Sequence, residues 1–417
     1  KRTYFMNKTK ESSEKTAEKS SKAPRKPHSP RRPKEPNALF YHLFYWGFSL
    51  YFRLTNKITD NAKELKNIKG PALVLSTHPS LYDFYYAARA LYPKRLTVVA
   101  NRYYASVSPT AWLLKRFRVI PKSLFTKDIE TVKKILAAAK SGHILLMMPE
   151  GRMSTSGDGF PLASGTAELV KKLGVDVYKI DTRGAYHAKP KWAFFNRRAA
   201  LEITGKKLFS AGELAEKTLL EVKSVLENEL SYTSQALGKV ACRDLAAGLD
   251  GVLYLCPHCK SEFTLTAGQN GITCSRCGMT AVMDEYCRFV SGRFATIAEW
   301  YRFQEGALEQ NFEKTSLEAA VTVKKIDKKK KRMEVCGFGV CSLDKTRFAF
   351  RGELMGQKDA FEIPLDALEA LPFTAGEEFE LYRGGELYYF YPAENPNQCV
   401  KWSLFVDIYN KKSSDYK

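Results

Sequence analysis

Residues 72–91 read Ala72-Leu-Val-Leu-Ser-Thr-His78-Pro-Ser-Leu-Tyr-Asp83-Phe-Tyr-Tyr-Ala-Ala-Arg-Ala-Leu91. The short apolar run at 72–76 suits a strand buried on both faces. After a Pro-containing turn, residues 81–91 change to helical spacing. The same alternation continues outward. Residues 96–100 read as a strand, 128–139 as a helix closing near Gly142, and 144–148 as a strand. A helix at 166–173 and a fourth strand at 175–180 follow. Strands separated by helices predict an α/β fold, a mixed, largely parallel sheet flanked by helices. In such sheets, sites gather at the carboxyl ends of the strands.

The chain has 417 residues and a formal charge of +21, which points to an anionic partner: a membrane surface, phosphorylated substrates or nucleic acid. No apolar run reaches the roughly 20 residues of a membrane-spanning helix, and no stretch reads as a secretory signal. Residues 1–34 hold 12 Lys/Arg against 3 Glu and contain no Val, Ile or Leu. They read as a disordered basic tail, either solvated or adhering to an anionic surface. At 38–52 seven of fifteen residues are Phe or Tyr and one is Trp. Two readings stand side by side: an interfacial membrane helix or a first helix buried against the domain behind it. Residues 208–249 read as mostly helical, with Ser210 and Glu213 spaced for a capping box.

Two short motifs each follow a strand. In the first, His78 and Asp83 are five residues apart. A histidine takes a proton from a hydroxyl when a carboxylate fixes its tautomer and ring. The alternative is an Asp83 that only serves the first turn of its helix. The second motif is Pro149-Glu150-Gly151-Arg152. Gly151 permits close backbone approach, and Arg152 is a planar donor suited to phosphate. Glu150 either orders Arg152 or meets an acceptor hydroxyl; the plain alternative is a strand-ending turn with a surface ion pair. Two motifs some 70 residues apart, each at a strand end, favour one shared site.

His78-x4-Asp83 followed by Pro-Glu-Gly-Arg resembles the glycerolipid acyltransferase family, of the lysophosphatidic acid acyltransferase type, over roughly residues 37–235. The resemblance implies that His78 deprotonates an acceptor hydroxyl, with Asp83 orienting it. The hydroxyl then attacks an acyl thioester, from acyl-CoA or acyl-carrier protein, without an acyl-enzyme. It further implies that Glu150, Gly151 and Arg152 hold a phosphorylated glycerol acceptor. The usual family block has Thr between Gly and Arg, so Arg152 falls one position early. The family's second block supplies a basic residue after a hydrophobic run; Arg102 and Lys122 are the candidates for it.

Cys256-Pro-His-Cys259 and Cys274-Ser-Arg-Cys277 are separated by 14 residues, which suits a zinc ribbon with a four-thiolate structural zinc. His258 reads as exposed rather than as a ligand, and Cys242 and Cys287 as ordinary thiols. The ribbon has few aromatics and few basic residues, which argues against nucleic acid as its partner. Residues 316–395 alternate like strands and, with a closing helix, loosely resemble a pleckstrin-homology or GRAM-like barrel. Residues 324–332 form its basic hairpin tip, which contacts anionic headgroups or is a solvated turn.

The expected organisation is a tail at 1–34, an acyltransferase domain with an interfacial helix at 35–235, a zinc-ribbon module at 236–312 and a β-rich domain at 313–417. The expected activity is acyl transfer to a lysophospholipid such as 1-acyl-glycerol 3-phosphate, peripherally at the cytoplasmic face of a membrane. The competing classes are an idle lipid-binding scaffold on the same fold and a nucleic-acid-binding protein.

Overall fold

The computed structural model describes residues 33–102, 111–123, 128–327, 330 and 332–415. The expected basic tail therefore lies, apart from its last two residues, outside the described residues. The described residues from Pro33 onward form one compact unit.

The first sheet has seven strands: β1 (Lys57–Asp60), β2 (Ala72–Ser76), β3 (Leu96–Asn101), β4 (Ile120–Lys122), β5 (Ile144–Met147), β6 (Asp176–Arg183) and β7 (Ala200–Phe209). Their spatial order is β1-β7-β6-β2-β5-β3-β4. Every neighbouring pair is parallel except β6 with β7. The fold is thus the mixed, largely parallel α/β sheet expected.

Strand β2 is buried at every position, and its side chains alternate between two cores. Leu73 and Leu75 join Leu145, Met147 and Val177 in one. Three helices cover that face: α4 (Ile129–Lys140), α5 (Thr166–Leu173) and α8 (Leu219–Leu230). Ala72 and Val74 join Ile144, Leu146 and Ile180 on the other face, under α1 (Ala38–Thr55) and α2 (Asp83–Leu91). A strand covered on both sides has no polar face, which is why its sequence reads as a continuous apolar run. Between these elements lie α3 (Ala111–Arg116), a single turn α6 (Ala185–Ala188) and α7 (Ala211–Glu216). Ser210 and Glu213 form the expected capping box, and Thr218 with Glu221 forms a second one at α8.

Helix α1 has one packed and one exposed face. One face packs inward: Phe52 stacks on Tyr85 at 4.6 Å and Tyr45 on Tyr92 at 3.8 Å. The other presents Leu39, Leu43, Trp46, Leu50 and Leu54, each 61–70 % exposed. Spacings of three and four make them one continuous stripe. No helix among the described residues is long and apolar enough to cross a membrane.

The helical expectation for 208–249 stops at Leu230. Beyond it the backbone runs irregularly, because it pairs elsewhere: Gly159 N–H donates to the Tyr232 carbonyl at 2.9 Å and Ser234 N–H to the Gly157 carbonyl at 2.7 Å. A three-stranded antiparallel sheet follows, from β8 (Leu265–Gly268), β9 (Gly271–Cys274) and β10 (Thr280–Val282). Helix α9 (Ile297–Gln310) then leads to a seven-stranded antiparallel sheet. Its strands are β11 (Leu317–Asp327), β12 (Arg332–Leu343), β13 (Arg347–Leu354), β14 (Gln357–Pro364), β15 (Phe373–Thr374), β16 (Glu378–Arg383) and β17 (Glu386–Pro392). Helix α10 (Cys399–Asp415) closes the chain. The basic run does sit at the β11–β12 turn, where Asp327 pairs with Arg332. Lys328, Lys329 and Lys331 lie outside the described residues; Lys330 and Arg332 both reach Glu334.

One hydrophobic core runs from Phe52 through Trp192, Leu253 and Trp300 to Trp402. The three-stranded sheet and the C-terminal sheet are therefore packed against the first sheet's core rather than tethered to it.

Candidate active site

Four adjacent parallel strands deliver the candidate residues to one edge of the first sheet. His78 follows β2, Arg102 follows β3, Lys122 ends β4 and Glu150 follows β5.

The His78 ring holds Asp83 across the turn, with Nδ1 2.9 Å from the carboxylate Oδ2. Asp83 is fully buried. It also accepts the Ser80 backbone N–H at 2.9 Å and the Thr182 hydroxyl at 3.3 Å. Burial pushes its carboxyl upward, and the hydrogen bonds from His78, Ser80 and Thr182 oppose that rise. The carboxylate sets the ring: Nδ1 carries the proton that points at Asp83, and Nε2 keeps its lone pair. His78 retains 23 % side-chain exposure, enough for a substrate to reach it.

Glu150 departs from the expected place on the acceptor. Its side chain turns inward and is 2 % exposed. Oε1 accepts the His78 backbone N–H at 2.7 Å and Oε2 the Phe160 N–H at 2.8 Å, with the Tyr232 hydroxyl at 3.4 Å. Burial pushes its carboxyl up to about 7. On the far side of the same turn, Ser154 N–H donates to the His78 carbonyl at 3.0 Å. The Glu150–Ser154 loop thus grips the backbone of His78 from both ends. Gly151 sits at φ +73°, a left-handed conformation that side chains resist.

Arg152 is also engaged by protein groups. Its guanidinium pairs with Asp407 of α10 at 2.8 Å and lies over the Phe160 ring, 3.7 Å from its centre. Arg102 donates to the Ser123 hydroxyl at 3.0 Å and to Asp128 at 3.1 Å. Burial acts upward on the Asp128 carboxyl, but donors from Ser123, Thr131 and Arg102 hold it well below the usual range. Lys122 reaches the Ser123 carbonyl at 3.4 Å, and burial lowers its ammonium. The structure therefore brings Arg102 and Lys122 together around Ser123. Residues 103–110 and 124–127, beside them, lie outside the described residues.

Thr182, Tyr232, Phe160 and Asp407 escaped sequence reading. Each reaches the site across at least ten residues, with no local spacing to reveal it.

The cysteine cluster forms a second, separate constellation. Four sulfurs around zinc at about 2.3 Å stand roughly 3.8 Å apart along each tetrahedral edge. Cys256 and Cys277 are 3.8 Å apart, as are Cys259 and Cys274. All four Sγ lie within 4.8 Å of one another. Each knuckle closes on a left-handed residue four positions after its first cysteine. Lys260 N–H meets the Cys256 carbonyl and Gly278 N–H the Cys274 carbonyl. The donor set fits a tetrahedral soft-ligand ion.

Residues 54–180 match the family model described as Acyltransferase. No curated protein matches the chain. The crystal structure of the 1-acyl-sn-glycerophosphate (LPA) acyltransferase PlsC from Thermotoga maritima is similar at 16 % identity, with a TM-score of 0.34. The match covers 46 % of this chain and 95 % of that one. Residues 54–180 are thus similar to the acyltransferase family.

Proposed function

We propose that this chain transfers a fatty acyl group from a thioester, acyl-CoA or acyl-carrier protein, to the hydroxyl of a lysophospholipid such as 1-acyl-glycerol 3-phosphate. The observation that carries this reading is the 2.9 Å contact of His78 Nδ1 with the buried Asp83, inside the matched region. His78 Nε2 takes the hydroxyl proton as the oxygen attacks the thioester carbonyl. The tetrahedral intermediate collapses, the C–S bond breaks, and the imidazolium returns its proton to the departing thiolate. Asp83 steadies the imidazolium in between. Glu150 and Ser154 fix the histidine's backbone, so they act as positioning residues. An intact, gripped histidine–carboxylate pair favours an enzyme over an idle scaffold.

The reading predicts release of free thiol from an acyl thioester that depends on added lysolipid, measured with a thiol-reactive dye over a panel of lysolipids and both donors. No lysolipid-dependent release with any pairing would overturn it.

The exposed stripe on α1 supports peripheral attachment to a membrane, with the basic residues adding attraction to anionic lipid. The paired cysteines suit a reducing compartment and hence the cytoplasmic face. Burying a leucine contributes about 1.5–3 kcal/mol. The double variant Leu43→Glu/Leu50→Glu is therefore expected to weaken vesicle binding by about 100-fold or more. Flotation with anionic liposomes checks this; unchanged flotation would remove α1 from the interface. Zinc at Cys256, Cys259, Cys274 and Cys277 is structural in this reading, since four thiolates leave no open position for chemistry.

A further inference from the structure

The side chain at the tip of the Pro-Glu-Gly-Arg turn is held by a residue 255 positions away. Asp407 Oδ1 accepts from the Arg152 guanidinium at 2.8 Å, and Ser403, one turn earlier on α10, stands 3.5 Å from its other amino group. Phe160 covers the guanidinium's flat face. The two side chains retain 14 % and 19 % exposure. Asp407 projects from helix α10. Its helix is anchored by Trp402, stacked on Phe379 at 5.0 Å, and by Phe405, stacked on Phe312 at 4.4 Å. Arg152 itself lies between Glu150 and Ser154, both bonded to the backbone of His78. Arg152 thus belongs to the loop that grips His78, and its acidic partner comes from outside residues 54–180.

Lys191, Glu378 and Glu380 act electrostatically on the same seam. Burial pushes the Lys191 ammonium down to about 7 and the Glu378 and Glu380 carboxyls up to about 7. They are partly charged near neutrality, whereas Arg152 is a permanent cation.

We infer that Asp407 is a specificity-determining residue, which neutralises Arg152 and so sets the charge that an acceptor headgroup meets beside His78. The inference rests on the acyltransferase reading above. A phosphomonoester acceptor must share Arg152 with a carboxylate already in place and adds its own negative charge beside it. An uncharged acceptor such as monoacylglycerol meets no such opposition.

The test uses the full chain and compares kcat/KM for 1-acyl-glycerol 3-phosphate with kcat/KM for 1-monoacylglycerol in vesicles of one composition. Asp407→Asn unmasks Arg152 and is expected to raise that ratio about tenfold or more. The double variant Arg152→Gln/Asp407→Asn removes both charges and is expected to keep the wild-type ratio within about threefold. Circular dichroism reports folding; if Asp407→Asn does not fold, Asp407→Ser takes its place with the same expected rise. An unchanged ratio in folded Asp407→Asn overturns the inference, as does a tenfold fall in the double variant. A wild type inactive on both acceptors overturns this inference, whereas the proposed function falls only if the whole lysolipid panel fails.

Discussion

Alanine in place of His78 is expected to lower lysolipid-dependent acyl transfer by about 10²–10⁴-fold, the range that a positioned general base supplies. The fold should survive. The ring is partly exposed, and Asp83 keeps two other donors, the Ser80 N–H and the Thr182 hydroxyl. Asp83→Asn should show a comparable loss, because an amide no longer fixes the tautomer in which Nε2 is the acceptor. Thiol release and a thermal melt on the same preparations separate lost chemistry from lost structure. A folded His78→Ala variant with wild-type turnover would leave the proposed mechanism without its base.

The second large effect concerns stability. Zinc held by four cysteines contributes a binding free energy of order 10 kcal/mol in small modules, and that free energy is folding free energy. Cys274→Ala is therefore expected to release the ion and cost several kcal/mol. The damage should spread beyond the three-stranded sheet. Ile272 and Cys274 belong to the core that also holds Tyr254, Trp300 and Trp402. Elemental analysis should find one zinc per wild-type chain and none in the variant, with a lower melting temperature. A zinc-free wild type that melts at an unchanged temperature after chelation would remove the metal from the account.

What was legible in the sequence follows from how local each signal is. Strand β2 and helix α5 fall where the pattern places them, because a doubly covered strand and an amphipathic helix each carry their environment in their own residues. Strand β7 was missed. Leu201 and Ile203 are buried and alternate with half-buried neighbours, but Gly205 and the exposed Lys206 and Lys207 break that period before Phe209 is buried again. Strand β4 is only three residues long, too short for any period. The same rule divides the site. His78 and Asp83 lie one turn apart, and their spacing alone suggests the contact. The inward turn of Glu150 and the pairing of Arg152 with Asp407 arise only when distant segments fold together. The motif alone suggests that Glu150 and Arg152 hold an acceptor and shows neither of these protein partners. In the folded chain, backbone N–H groups meet Glu150, and a helix from the far end of the sequence meets Arg152.

Direct transfer, steered by one histidine and needing no acylated enzyme, is the claim on which the rest depends. Mass spectrometry of a single reaction mixture tests it most directly. With thioester alone, the intact protein should gain no acyl mass and little thiol should appear. With lysophospholipid added, one diacylated lipid should form for each thiol released. A stable acyl adduct on the protein, or thiol release indifferent to the lipid, would contradict the account.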